Sequence, residues 1–313
     1  MTDIIEQLAV ELSRPGIRLA IFIGAAGTGK TTLIARLADR LAAGATVGIV
    51  DSDIGQSHIG PPSTVAWGRI SPPGLHEAGD AGGGHEPGTG SKSEAGPAGG
   101  SRGSQGLEKI PAESFYFTGA ISPTGNLLPV VAGAGLMAAQ ALAACDTVLL
   151  DTTGLVSGAP GRALKQIKID LLKPDLLVAL EREAETAHIV DPFRFQKRPR
   201  VIASSPLPGA VTVTTAARAR FRNRRFRAYF YGSAVLEIPL ERTGLRFSRG
   251  GPRPPDRMRG YLVSLRDGLN TDLALGVIED EPRGGILPVR APCPRHEDVA
   301  SILVGSLKPD LFS

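Results

Sequence analysis

Aromatic residues are scarce in this 313-residue chain, at 5% of the composition with a single tryptophan, Trp67. Cysteine is scarcer still. Cys145 lies in an apolar run and Cys293 between two prolines, with no metal-ligand or redox spacing, so a structural disulfide is not expected and a reducing cytoplasm is. The five histidines are dispersed and form no zinc pattern. His58, the one beside a motif, reads as structural. A signal peptide is not expected either: Met1 to Arg14 sets Asp3, Glu6 and Glu11 among Ile4, Ile5, Leu8 and Leu12 at amphipathic-helix spacing. The one long apolar run, Leu127 to Cys145, contains Pro129 and Gln140 and is rich in Ala and Gly. It reads as a helix packed on a sheet rather than a membrane span, and no membrane partner is expected.

What remains is the composition of a soluble protein, 42% hydrophobic and 21% charged, long enough for a large domain and a small one. The net charge of +4 conceals an asymmetry. Between Arg194 and Arg259 sixteen Lys or Arg face three acids, a segment of +13 that leaves −9 for the rest of the chain. Such a concentrated positive field suits an anionic partner.

The order of elements predicts an α/β fold, a P-loop NTPase parallel sheet with flanking helices, plus a small C-terminal β-rich domain. A strand over Ile17–Ile23, a helix over Lys30–Ala43 and a strand over Thr46–Val50 open it. A strand at Phe115–Thr118, the Ala-rich helix, a strand at Thr147–Leu150, a helix near Arg162–Leu172 and strands at Asp175–Leu180 and Arg200–Ala203 continue it. Residues 1–232 are expected to form the P-loop domain, with an arginine-rich lid at 211–228 whose 216–228 stretch has good helix formers, and residues 233–313 the β-rich one. Between Ser71 and Ile110, Gly, Pro, Ser and charge dominate, with Leu75, Leu107 and Ile110 the only large aliphatics. Such a stretch buries too little to offset its ordering entropy, so 71–110 reads as a disordered insertion.

The sharpest motif is GAAGTGKT at 24–31, with a strand before and a helix after. This Walker A spacing makes Gly24, Ala25, Ala26, Gly27, Thr28, Gly29, Lys30, Thr31 and Thr32 a phosphate cradle for ATP or a related nucleoside triphosphate. The loop N–H groups and the helix N-terminus turn on phosphate oxygens, Lys30 reaches the β- and γ-phosphates, and Thr31 offers a hydroxyl to Mg²⁺. Asp51 and Asp53 follow one strand and Asp151 closes another. Each is able to hold a Mg²⁺-bound water or accept a proton from an attacking hydroxyl, and sequence does not divide metal work from base work among them. In ARARFRNRRFRAYFYG at 217–232, Arg218, Arg222 and Arg225 share a helical face. Placed over the P-loop, such guanidinium groups would neutralise charge on a transferring phosphoryl group; a solvated basic face or nucleic-acid backbone contacts would use the same residues. The chemistry indicated is phosphoryl transfer.

With these motifs in order, the chain resembles the polyribonucleotide 5′-hydroxyl kinase family of mRNA cleavage-factor and pre-rRNA-processing P-loop kinases. That family has a Walker A loop, D-x-D-x-G-Q then G-P-P, F-x-G-x-x-S-P, N-T-x-G-W, and an arginine lid ending in Y-F-Y-G. Here they stand at 24–31, 51–62, 117–123, 151–155 and 218–232. The resemblance implies ATP as donor, Mg²⁺, and a nucleic-acid 5′-hydroxyl as acceptor. It assigns catalysis to Lys30, Asp53, Arg222 and Arg225, with Arg227 a third lid candidate. Asp53 would activate the hydroxyl and Gln56 would lie in the metal's outer shell; Thr31, Asp53, Gln56 and, from its place at a strand end, Asp151 make up the candidate metal set. Two departures stand out. Asp151 occupies the family's Asn position and Leu155 its tryptophan, which stacks on an acceptor base, so RNA, DNA and a small molecule all remain open as acceptors. The upstream domain of the eukaryotic members is not expected, since only about sixteen residues precede the first strand. Two other readings fit parts of the pattern: a metallochaperone-like NTPase switch using DTTG at 151–154, and a nucleotide-bound non-catalytic scaffold. The first lacks an N-K-x-D or T-K-x-D guanine-reading motif; against the second stand the intact Lys30, Asp53 and lid arginines.

Overall fold

Short apolar runs alternating with amphipathic stretches stack into layers because each strand face and helix stripe must be covered by another element. The structure, a computed structural model, describes residues 3–72, 106–252, 257–293 and 297–311. Helix α1 (Ile4–Leu12) is capped by Asp3, whose carboxylate accepts from the Ile5 amide at 3.1 Å. Then come β1 (Leu19–Gly24), α2 (Lys30–Leu41), β2 (Val47–Ser52), β3 (Thr64–Ile70), β4 (Ser114–Phe117), α3 (Leu127–Ala144) and β5 (Thr147–Thr152). Next are α4 (Gly158–Leu172), β6 (Leu176–Leu180), the single turn α5 (Ala187–Val190) and β7 (Arg200–Ser204). The strands form one sheet in the order β4-β3-β2-β5-β1-β6-β7. β1, β2, β5, β6 and β7 run parallel, whereas β3 is antiparallel to both β2 and β4.

Successive residues of a strand face opposite sides of the sheet, so the central strands read as continuous apolar runs covered on both faces. Ala20, Phe22 and Ile49 pack with Leu8 and Leu12 of α1 and with Leu33, Ile34 and Leu37 of α2. Ile21, Ile23, Val50 and Leu150 pack with Val130, Met137 and Ala141 of α3 and with Leu164 and Ile169 of α4. By length and composition α3 could cross a membrane. Here its Val130, Ala134, Met137, Ala138 and Ala141 lie in the protein core, while Trp67 Nε1 donates to Gln140 at 2.9 Å.

A second sheet follows α6 (Thr215–Phe230). Its strands are β8 (Ala234–Pro239), β9 (Gly244–Phe247), β10 (Leu262–Arg266), β11 (Asp272–Ile278), β12 (Ile286–Ala291) and β13 (Ser301–Val304), in the order β8-β12-β11-β10-β13-β9. The sheets meet in one apolar cluster, Phe117 of β4, Phe226 and Phe230 of α6, and Leu262, Leu275 and Val277 of the second sheet. The Tyr229 hydroxyl accepts from the Leu275 amide at 2.9 Å. The C-terminal half of α6 is thereby fixed to the second sheet.

Three expectations need correction. The α/β architecture is as expected, but its sheet is mixed rather than all-parallel, because β3 returns antiparallel along β2. The 71–110 segment lies largely outside the described residues, but its end is ordered. Leu107–Lys109 forms a 3₁₀ turn, and Leu107 and Ile110 are 2% and 8% exposed in the first core. Gly68 makes room for Ile110 and Pro111, since a Cβ there would stand 2.7 Å from Ile110 Cγ2 and 2.4 Å from the Pro111 carbonyl oxygen. Finally, Asp51 belongs to β2 itself, not to the loop beyond it.

Candidate active site

The site forms where β1, β2 and β5 end, because the parallel order β2-β5-β1 delivers three consecutive loops to one edge. The register places Asp151 between Asp51 of β2 and Phe22 of β1. A cavity of about 620 Å³ opens there. Its floor is the P-loop, its walls are Asp53–His58, Ile121–Thr124 and Thr153–Leu155, and its cover is Gly209–Val213 with the start of α6.

Gly29 caps α2 at φ +87°, a left-handed conformation open to glycine, and no side chain caps the helix. The first helical N–H groups stay available to an anion. Lys30 is 7% exposed, and its Nζ donates to the Gly24 and Ala25 carbonyls at 2.8 and 3.0 Å. Burial holds its pKa below the usual lysine value, against the opposing pull of Asp151 and Asp53. Gly24, Ala25 and Thr28 build the loop from within, Thr28 Oγ1 donating to Ala25 O at 3.0 Å, whereas Ala26, Gly27, Gly29, Lys30, Thr31 and Thr32 line the cavity.

The three carboxylates separate into different tasks. Asp51 is 1% exposed; its Oδ1 accepts from the Asp53 amide at 3.0 Å, and its Oδ2 from those of His58 and Ile59 at 2.6 and 3.1 Å. Burial, then Asp151 and Asp53, push its pKa up to about 8. Asp51 is therefore an anchor of the following loop. Asp53 lines the cavity, its Oδ1 accepting from the Gly55 and Gln56 amides at 3.1 and 3.2 Å. Asp151 Oδ2 accepts from Thr31 Oγ1 at 2.6 Å, while the buried Oδ1 has no partner. Burial raises the Asp151 pKa, with Lys30 and Thr31 opposing.

That orphaned oxygen beside a threonine hydroxyl fits Mg²⁺, which keeps several waters and takes one or two carboxylates together with substrate phosphates. Among the described residues no group of three or more His, Cys, Asp or Glu forms a metal cage. Gln56 lines the same cavity, and its Nε2 donates to Gly55 O at 2.8 Å and to Arg218 O at 3.3 Å, joining the Asp53 loop to α6.

The lid arginines also divide. Arg218 and Arg222 line the cavity, and burial followed by Arg218 lowers the Arg222 pKa. Arg225 does not line it. Its Nη2 donates to the His58 and Gly60 carbonyls at 2.8 and 2.7 Å, so it fastens the lid to the Asp51-anchored loop. Arg227 is exposed and outside the cavity lining. His58, read from sequence as structural, is also a cavity wall, with its ring 5.0 Å from that of Phe221.

Sequence reasoning singled out the 117–123 motif and the 211–228 lid without assigning Ile121–Thr124, Val211 or Val213 to the cavity wall, and it missed two lysines behind the site. Lys165 and Lys168 of α4 are 1% and 0% exposed. Burial lowers the Lys168 pKa to about 8 and that of Lys165 well below the usual value. One signal was available: helical spacing puts both on the stripe of Leu164 and Ile169.

Comparison with known proteins accords with this geometry. The model of the mRNA cleavage and polyadenylation factor CLP1 P-loop family matches residues 24–81 and 99–232. A polyribonucleotide 5′-hydroxyl-kinase of Methanocaldococcus jannaschii is 31% identical over 221 residues, 70% of this chain and 52% of the relative. One of Pyrococcus horikoshii is 30% identical over 236 residues, 74% of this chain and 56% of the relative. The chain thus spans about half the length of the curated relatives it matches. The solved Clp1p of a Clp1p–Pcf11p complex superposes with a TM-score of 0.68 at 14% identity, over 98% of this chain and 79% of that one, a likeness of fold. The chain belongs to the CLP1 P-loop family of mRNA cleavage and polyadenylation factors.

Proposed function

We propose that the chain is an ATP-dependent kinase that transfers the γ-phosphate to the 5′-hydroxyl of a polynucleotide. The observation that carries this reading is that Lys30, Thr31, Asp53, Arg218 and Arg222 line one cavity, with the buried Asp151 joined to it through the Thr31 hydroxyl. The names of the archaeal relatives support it.

In this reading Lys30 leaves the Gly24 and Ala25 carbonyls for the phosphates of ATP. Thr31 and Asp151 would hold Mg²⁺, which neutralises phosphate charge when bound, with Gln56 in a lid-linking rather than a metal role. Asp53 accepts the proton of the attacking hydroxyl, and Arg222, with Arg218, balances charge on the phosphoryl group in flight. Arg225 serves by holding the lid in place. Residues 1–232 then carry the chemistry, 233–313 anchor the lid, and the setting is the cytoplasm. Leu155 stands in the cavity wall where an aromatic would stack on a base, so acceptor affinity comes mainly from the basic segment 194–259 and is sensitive to salt.

The deciding experiment incubates the protein with γ-labelled ATP, Mg²⁺ and RNA and DNA oligonucleotides bearing either a 5′-hydroxyl or a 5′-phosphate. Label on the 5′-hydroxyl strands alone is the expected result. Release of phosphate without transfer to any strand would overturn the reading.

A further inference from the structure

Burying a lysine ammonium is costly unless hydrogen bonds and counter-charge compensate it, yet α4 buries two, one turn apart. Both have compensation, and it leads to the site. Lys168 Nζ donates to Ser52 Oγ at 2.8 Å, and Ser52 Oγ donates to the Asp151 carbonyl at 2.6 Å. This relay ties the end of β2, from which the Asp53 loop departs, to the end of β5. Lys165 Nζ donates to the Thr153 carbonyl at 2.5 Å. The next residue, Gly154, is pressed so closely on the P-loop that a Cβ would stand 2.7 Å from the Ala26 nitrogen. Asp53 and Asp151 act electrostatically on both lysines, and Asp51 on Lys168. Three carboxylates at the sheet edge thus face three lysines, Lys30 in the P-loop and these two behind it.

We propose that Lys165 and Lys168 are positioning residues for phosphoryl transfer, gripping the ends of β5 and β2 from behind so that Asp151, Asp53 and the Thr153–Leu155 wall keep their register against the P-loop. The proposal rests on the kinase reading above. A merely space-filling role predicts the opposite behaviour, because replacing buried charge by an apolar side chain of similar volume is often neutral or stabilising.

The test compares Lys168→Met, Ser52→Ala, their double variant and Lys165→Met in the full chain, at saturating Mg²⁺. Each single lysine variant should lower kcat about 10- to 100-fold, the effect of a small misplacement of reacting groups, with both KM values within about twofold. The double variant should be no worse than Lys168→Met, since both changes break one relay. Amide hydrogen exchange over 151–156, which needs no acceptor, should quicken about tenfold in the variants while β1 and β6 stay protected. A folded Lys168→Met with unchanged kcat and unchanged exchange overturns the proposal, as do additive losses in the double variant. Should Lys168→Met fail to fold, Ser52→Ala, which keeps both charges, decides: a kcat within twofold of the parent overturns the relay. Altered exchange in variants of a parent that transfers nothing would count against the kinase reading and for the grip.

Discussion

Both sheets of this protein bury charge, and they do so in contrasting ways. In the second sheet, Arg266 and Asp272 are 2% and 9% exposed, and each polar side-chain atom of the two has a partner. Arg266 Nε donates to Asp272 Oδ1 at 2.7 Å, and Ser264 donates to the same oxygen. Asp272 Oδ2 accepts from the Phe117 amide of β4 at 3.0 Å. The guanidinium also reaches Asn270 at 3.3 Å and stands 5.3 Å from the ring centre of Tyr116. At the edge of the first sheet, Asp151 Oδ1 has no partner, and Lys30 is turned onto its own loop. A closed network fixes geometry, here joining the two sheets through Asp272 and β4. An open one is kept in place by the surrounding fold and is complete only with a ligand. Burial alone therefore does not distinguish a strut from a site.

Breaking the closed network should produce the largest effect. Arg266→Leu leaves Asp272 buried without its cation and is expected to cost about 3–5 kcal/mol in urea unfolding. Adding Asp272→Asn, neutral yet still able to accept from the Phe117 amide, should recover at least half of that loss. If Arg266→Leu alone proves harmless, the contrast between the regions fails.

The open network should respond in activity, not stability. Lys30→Ala is expected to lower turnover on the order of 10²–10³-fold, the loss typical of one preorganised electrostatic group. Its melting temperature should hold or rise, because a costly buried ammonium is gone. Undiminished label transfer by the folded variant would remove Lys30 from the chemistry.

Leu155→Trp sharpens the picture at the acceptor wall. An added aromatic should tighten binding of a fluorescent 5′-hydroxyl oligonucleotide by about a decade, in line with roughly 1–3 kcal/mol of base stacking. The parent's affinity should fall steeply across a salt series. A parent indifferent to salt and a variant that gains nothing would point to an acceptor other than nucleic acid.

The smallest effect belongs to residues 73–105, which lie outside the described residues and whose composition offers little to bury. Replacing them with a short Gly-Ser linker, while keeping Leu107 and Ile110, should change stability by less than about 0.5 kcal/mol. A large drop in melting temperature would show that the segment contributes to the core.

How much of this was legible beforehand depended on the range over which each feature is encoded. The phosphate loop was readable because its residues are contiguous and its glycines, lysine and threonine act through spacing alone. The flanking strands and helices were readable from their apolar periods. β3 was not, since Thr64–Ile70 becomes a strand by pairing with β2 on one side and β4 on the other. Leu107 and Ile110 were hidden because two aliphatics in a Gly- and Pro-rich run make no period, and Ile110 is seated in the space that Gly68 leaves.

By itself the sequence determined the P-loop, the parallel α/β frame, the presence of carboxylates at strand ends and an arginine helix after them, all set by local spacing and periodicity. Only the tertiary structure decided which of these residues act. Asp51 and Asp53 differ by two positions, and what separates them is the point where β2 ends and the amides of His58 and Ile59 fold back. Arg222 and Arg225 share a helical face, and the seating of Phe226 and Phe230 against the second sheet turns one toward the cavity and the other onto the His58 loop. Lys165 and Lys168 share the apolar stripe of α4, but only the packing of α4 on the sheet decides which strand ends they hold. In each case the deciding contact joins residues far apart in the chain, and the energy of such contacts exists only once the layers have packed.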